Sequence, residues 1–249
     1  MSIDALTAKA STAASGGWLE ARALEPSVLF WFTMFAASAL GTNLGDFWAD
    51  ALSLGLVASF GALAALSAVL IAGDRFWVRS TEILFWLAIV FLRAMATNVG
   101  DFLTDDLRIA RPVSGLALAA ATLAAGYFTV GRASPSIDLR YWLAMFVGGA
   151  FGTIGGDFVS HGVGLPLATV ALAAVLVATI GARSAVAPAS LLGYWCIVLA
   201  ERAAGTPAGD LLAEERGLNL GLPIAMTITG GVFIAALALR GRRVLTSAP

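Results

Sequence analysis

The sequence predicts an all-α integral membrane protein, with eight transmembrane helices arranged as four tandem parallel helical hairpins in two pseudo-two-fold halves. Composition, the length and number of the apolar runs, and a motif that recurs four times in register point to it. Of 249 residues, 59% are hydrophobic and only 12% charged, and the mean hydropathy is +0.87. A soluble domain carries about 25% charged residues, so this chain lacks the polar surface to face water on every side. The formal net charge of −1 offers no basic patch for nucleic acid. A single cysteine, Cys196, excludes an intramolecular disulfide and reads as a small buried hydrophobe.

Residues 1–25 are small and polar, with Lys9 and Arg22 and no apolar stretch of the signal-peptide kind. They read as a cytoplasmic tail with a short surface helix around Trp18–Leu24. Eight apolar runs follow, near 27–48, 52–73, 82–103, 112–131, 138–159, 163–182, 188–211 and 219–240. At 1.5 Å per residue each can cross a hydrocarbon core of about 30 Å. Backbone groups in lipid must bond to one another, which makes these runs helices. The first half is expected over 26–131 and the second over 132–240, with 241–249 as a second cytoplasmic tail.

Basic residues divide unequally between the two sets of loops. Lys9, Arg22, Arg75, Arg79, Arg132, Arg140, Arg183, Arg240, Arg242 and Arg243 fall on one side, and Arg108, Arg111 and Arg216 on the other. The positive-inside rule then puts both termini in the cytoplasm.

The repeat is visible in four segments. Phe30-Trp31, Phe85-Trp86, Tyr141-Trp142 and Tyr194-Trp195 each precede a Thr-x-x-Gly-Asp motif: Thr42 to Asp46, Thr97 to Asp101, Thr153 to Asp157 and Thr206 to Asp210. The Trp-to-Thr spacing is 11 in every copy, and the Asp-to-Asp steps are 55, 56 and 53. Two spans per unit mean that every copy enters the membrane in the same sense, so the four Asp residues share one depth. The Trp residues are expected to anchor and pack the copies, and Trp48 and Trp77 to sit at interfaces.

Thr and Asp four residues apart share a helix face. Four residues further on stand Asp50, Asp105, His161 and Glu214. Convergence of the four stripes would gather carboxylates and one imidazole, a donor set for a hard or borderline divalent cation or for a proton relay. Asp46, Asp101, Asp157, Asp210 and His161 are therefore the candidate metal ligands. The competing reading makes the acids helix-end punctuation and the Thr and Asp side chains interhelical hydrogen-bonding groups. Seven residues after each Trp stand Ser38, Arg93, Gly149 and Arg202. Arg93, Arg202 and the adjacent Glu201 lie mid-span, where an unpaired charge costs at least about 2.5–3.5 kcal/mol. They must face the interior and be paired, with Glu201 or the Asp residues as partners. The ion- or substrate-binding candidates are thus Thr42, Asp46, Arg93, Thr97, Asp101, Thr153, Asp157, Glu201, Arg202, Thr206 and Asp210.

With its Tyr/Phe-Trp start and Gly-Asp-aromatic end, the two-span unit over 28–240 resembles a bacterial membrane protein family defined by a tandem repeat of unknown function. The resemblance implies the multi-pass fold and the bacterial cytoplasmic membrane, with the lipid bilayer as partner, and no established activity. It also implies a Glu where this chain has Thr42, Thr97, Thr153 and Thr206, so one tier of carboxylates is missing here.

Two functions remain open. One is a transporter or channel for a small cation, a divalent metal or a proton-coupled species; the other is a structural or sensory membrane module. No enzyme motif is present and no resident cofactor is implied beyond a candidate divalent metal ion.

Overall fold

The computed structural model describes residues 26–52, 55–76, 81–127, 135, 137–186 and 190–246. Among them are eight α-helices and no strand: α1 (Val28–Asp46), α2 (Gly55–Phe76), α3 (Thr81–Asp101), α4 (Arg111–Tyr127), α5 (Leu139–Val163), α6 (Leu165–Val186), α7 (Leu191–Ala213) and α8 (Leu222–Thr246). Each falls on one of the eight apolar runs. Six of them (α1, α2, α3, α5, α6 and α8) are long and apolar enough to cross a membrane, as in a multi-pass membrane protein. The other two depart for visible reasons. Helix α4 has only 17 residues, and α7 carries buried Glu201, Arg202 and Asp210, which lower its apolarity. The expected surface helix at Trp18–Leu24, with Lys9, Arg22, Trp77, Arg79 and Arg132, lies outside the described residues, as do the side chains of Arg75, Arg242 and Arg243.

Helices α1, α3, α5 and α7 pack in that order into a ring, and α7 returns to α1. The even helices surround it: α2 on α3, α4 on α5, α6 on α7, and α8 on α1. Each outer helix thus packs most closely on the inner helix that follows it in the chain, and the last outer helix closes on the first inner one. Burial separates the two layers. The membrane-length windows of α1, α3 and α5 are 67%, 72% and 56% buried, against 17%, 17% and 22% for α2, α6 and α8. The outward faces carry Val57, Val69, Leu167, Val170, Val177 and Ile234, suited to lipid.

Local chemistry sets the helix ends. Ser27 caps α1 by accepting from Phe30 N at 3.1 Å, Asp138 caps α5 by accepting from Arg140 N and Tyr141 N at 2.9 and 3.0 Å, and Ser190 caps α7 by accepting from Gly193 N at 3.1 Å. At their other ends α1 and α3 run into π-helical turns, Phe47–Ala51 and Phe102–Asp106. Helix α5 reaches α6 through Gly164 alone, whose φ of 87° suits only glycine.

One end of the ring is sealed by aromatic rings. Phe30, Phe85, Tyr141 and Tyr194 are at most 1% exposed. Each meets the tryptophan of the next inner helix round the ring: Phe30–Trp86 at 5.6 Å, Phe85–Trp142 at 5.6 Å, Tyr141–Trp195 at 5.8 Å and Tyr194–Trp31 at 5.1 Å between centroids. Pairs of this kind are worth about 0.5–1.5 kcal/mol beyond area burial. The four aligned tryptophans therefore pack inner helices together inside the protein. Trp48 is half-buried against the core, and Cys196 is half-buried rather than enclosed.

Candidate functional site

Close approach of the inner helices at the opposite end depends on the motif glycines. A Cβ on Gly45 would stand 2.7 Å from the Ala94 carbonyl oxygen and 3.1 Å from Thr97 Cβ; on Gly100, 2.9 Å from Thr153 Cβ; on Gly156, 2.9 Å from Thr206 Cβ; on Gly209, 2.9 Å from the Ala39 carbonyl oxygen and 3.4 Å from Thr42 Cβ. Each glycine therefore abuts the threonine segment of the next inner helix, and the fourth abuts the first. Small residues at such contacts let helix backbones approach.

This packing turns all four motif threonines onto the ring axis, where one side chain meets them. Arg202 Nη1 donates to Thr42 Oγ1 at 2.9 Å and Thr206 Oγ1 at 3.3 Å; Nη2 donates to Thr97 Oγ1 at 2.6 Å and Thr153 Oγ1 at 2.9 Å. Nε donates to the Gly149 carbonyl at 3.2 Å. The guanidinium is fully buried, and all three nitrogens have acceptors. Gly152 makes room for it, since a Cβ there would collide with the Arg202 side chain.

On the aromatic side of Arg202, Arg93 Nη2 is paired with Glu201 Oε1, and Ser38 Oγ donates to Glu201 Oε2 at 2.9 Å. Arg93, Glu201 and Arg202 are each at most 1% exposed. Of the partners the sequence left open for Arg93, Glu201 is the one it meets. Arg202 differs: its hydrogen-bond partners are hydroxyls and carbonyls instead of a carboxylate, because the Asp residues stand one helical turn beyond the threonines. The matched arginines of α3 and α7 thus have different partners. Ser38 fills the equivalent slot of α1 as the third member of the Glu201 cluster. Its position in the alignment was visible in the sequence, but its partner was not.

On the other side of the threonines a cavity of about 480 Å³ opens. Thr42, Thr97, Thr153 and Thr206 form its floor, Asp46, Asp101, Asp157 and Asp210 stand one turn above, and Asp50, Asp105, His161 and Glu214 form a further tier. Asp50, Asp105 and His161 are exposed, so the cavity opens at that end. Every aligned Thr and Asp of the sequence motif therefore lines one space. Arg111 and Arg216 also line it, and the motif gave no signal for either.

The two acidic tiers differ in their bonding. Asp105 Oδ1 accepts from Arg111 at 3.2 Å, Glu214 Oε2 pairs with Arg216 at 2.6 Å, and His161 Nδ1 lies 2.7 Å from the Asp157 carbonyl oxygen. By contrast, the carboxylates of Asp46, Asp101, Asp157 and Asp210 have no hydrogen-bond partner among the described residues. Asp46, Asp101, Asp157, Asp210 and His161 share the cavity, yet among the described residues no three His, Cys, Asp or Glu side chains come together to hold a metal ion. The four carboxylates come from four different helices around that space.

Comparison with known proteins adds one result. A family model described as a repeat of unknown function (DUF347) matches residues 193–243, which cover most of α7 and α8. The match starts one residue before Tyr194-Trp195 and includes the Thr206 to Asp210 motif. No curated protein and no solved structure matches the chain.

Proposed function

We propose that the chain carries a small cation across a bacterial cytoplasmic membrane, with both termini in the cytoplasm and the acidic cavity open on the opposite side. In this reading all eight helices span the bilayer, as four tandem copies of one two-helix unit, and no residue is catalytic. The observation that carries it is the tier formed by Asp46, Asp101, Asp157 and Asp210, whose carboxylates line one open cavity without a hydrogen-bond partner among the described residues. Unpaired carboxylates at this depth are costly to maintain and mark ion pathways in membrane proteins. Seven carboxylates against Arg111 and Arg216 also leave the lining with an excess of negative charge, which concentrates cations at its mouth. Below the cavity, Arg202 and the Arg93–Glu201 pair fill the axis, and the aromatic layer closes the far end, as in an outward-facing, inward-closed state of a carrier.

Cation flux into proteoliposomes tests the reading. Asp46→Asn and Asp101→Asn are each expected to abolish flux while leaving the detergent melting curve unchanged. Undiminished flux in both variants would overturn it.

One observation favours a second reading, a structural or sensory module without transport. Arg202 ties together threonines from all four inner helices, as a structural core would require. That reading expects no flux in the parent protein and a fall of several degrees in melting temperature in the Asp variants.

A further inference from the structure

We propose that the cation taken by the cavity is an oligoamine, a flexible organic molecule with two or more ammonium groups separated by methylenes, and not a bare metal ion. The proposal rests on the cation-carrier reading and deepens it. The cavity's volume of about 480 Å³ lies within the roughly 300–1,000 Å³ typical of small organic ligands. A divalent metal stripped of its waters needs about six oxygen ligands converging at roughly 2.0–2.6 Å, and among the described residues no three His, Cys, Asp or Glu side chains come together to hold one. An ammonium group makes a smaller demand. It has three donors and can be satisfied by one carboxylate and its neighbours, at about 2.7–2.9 Å. Carboxylates supplied one each by α1, α3, α5 and α7 around one cavity therefore suit several charges carried along one chain.

Asp210 is the most enclosed of the four carboxylates. It is only 5% exposed, lines the cavity, and has no hydrogen-bond partner among the described residues. A carboxylate so enclosed is an acceptor awaiting a donor from whatever fills the space. The floor limits how deep the ligand goes. Arg202 sits beneath the threonines with its donors already used, and its charge holds a second cation in the Asp tier. Toward the mouth, Ala213 and Leu222 offer the apolar wall that methylenes need.

The test uses the full-length protein in lipid nanodiscs and isothermal titration with 1,4-diaminobutane, n-butylamine and manganese(II) chloride. The diamine is expected to bind saturably and at least about tenfold more tightly than the monoamine. Asp210→Asn is expected to weaken the diamine by about tenfold or more with an unchanged melting curve. Asp101→Asn serves the same purpose if Asp210→Asn does not fold. Equal binding of diamine and monoamine, or diamine binding insensitive to both substitutions, would overturn the proposal. Binding of manganese that needs Asp210, with none of the diamine, would also overturn it and leave the cation-carrier reading standing. If no probe binds and the proteoliposomes show no cation flux, both fail together.

Discussion

Two arginines at matched positions show how differently one side chain can be stabilised inside a helical bundle. Arg93 pairs with a carboxylate, Glu201, whereas Arg202 is satisfied by four hydroxyls and three carbonyls. Removing one partner of a buried ion pair strands the other, at a cost of about 3–5 kcal/mol. Arg93→Met and Glu201→Gln should each lower the detergent melting temperature sharply, and the double variant should lose less than the sum of the two. A lysine cannot span the threonine ring with its compact ammonium group. Arg202→Lys should therefore destabilise by about 2 kcal/mol or more while keeping the charge, read as a lower melting temperature. At this scale the sequence was informative about demand and silent about supply. Mid-span Arg93, Glu201 and Arg202 interrupt apolar runs and had to be paired. Which group pairs with which depends on the cyclic neighbour relations of α1, α3, α5 and α7, and no local pattern encodes those.

Between helices, the motif glycines govern the fit. Gly45→Ala would press a methyl group against the Ala94 carbonyl and Thr97, at about 1–3 kcal/mol by analogy with overpacked cores. Gly61, on α2, meets nothing within 4 Å. There the same change should leave stability unchanged or raise it by up to about 1 kcal/mol through helix propensity. The contrast between the two melting curves checks whether contact or propensity decides. Helix existence was legible from apolar run length, and the eight described helices fall on the eight runs. The π-helical turns at Phe47–Ala51 and Phe102–Asp106 were not, because hydropathy carries no information about a switch from i−4 to i−5 bonding. Nor did the sequence reveal that α2, α4 and α6 each pack most closely on the helix that follows, since either neighbour is within reach of a short loop.

For the molecule as a whole, the outer layer is completed by α8, which packs on α1. Its Arg240 donates to Glu82 of α3 at 2.9 Å and lies over Phe30 and Trp86 at 5.5 and 5.2 Å from their centroids. Arg240→Ala should lower stability by about 1–2 kcal/mol through loss of the pair and the cation–π contacts, visible in the same melting assay. At this scale one motif, repeated in one sense, predicted a tier of acids at one depth, while their meeting around one cavity was left open by the sequence. Convergence was not legible because the order in which helices close into a ring is a tertiary quantity. The threonine ring has a further consequence. A side chain lying on the axis of a four-part ring cannot be contributed equally by four identical subunits, since four guanidinium groups would claim the space of one. Joining the four parts in a single polypeptide removes that restriction, so that α7 supplies Arg202 while the equivalent slots of α1 and α5 shrink to Ser38 and Gly149. Covalent linkage is thus what permits an asymmetric plug at the centre of a nearly symmetric barrel of helices.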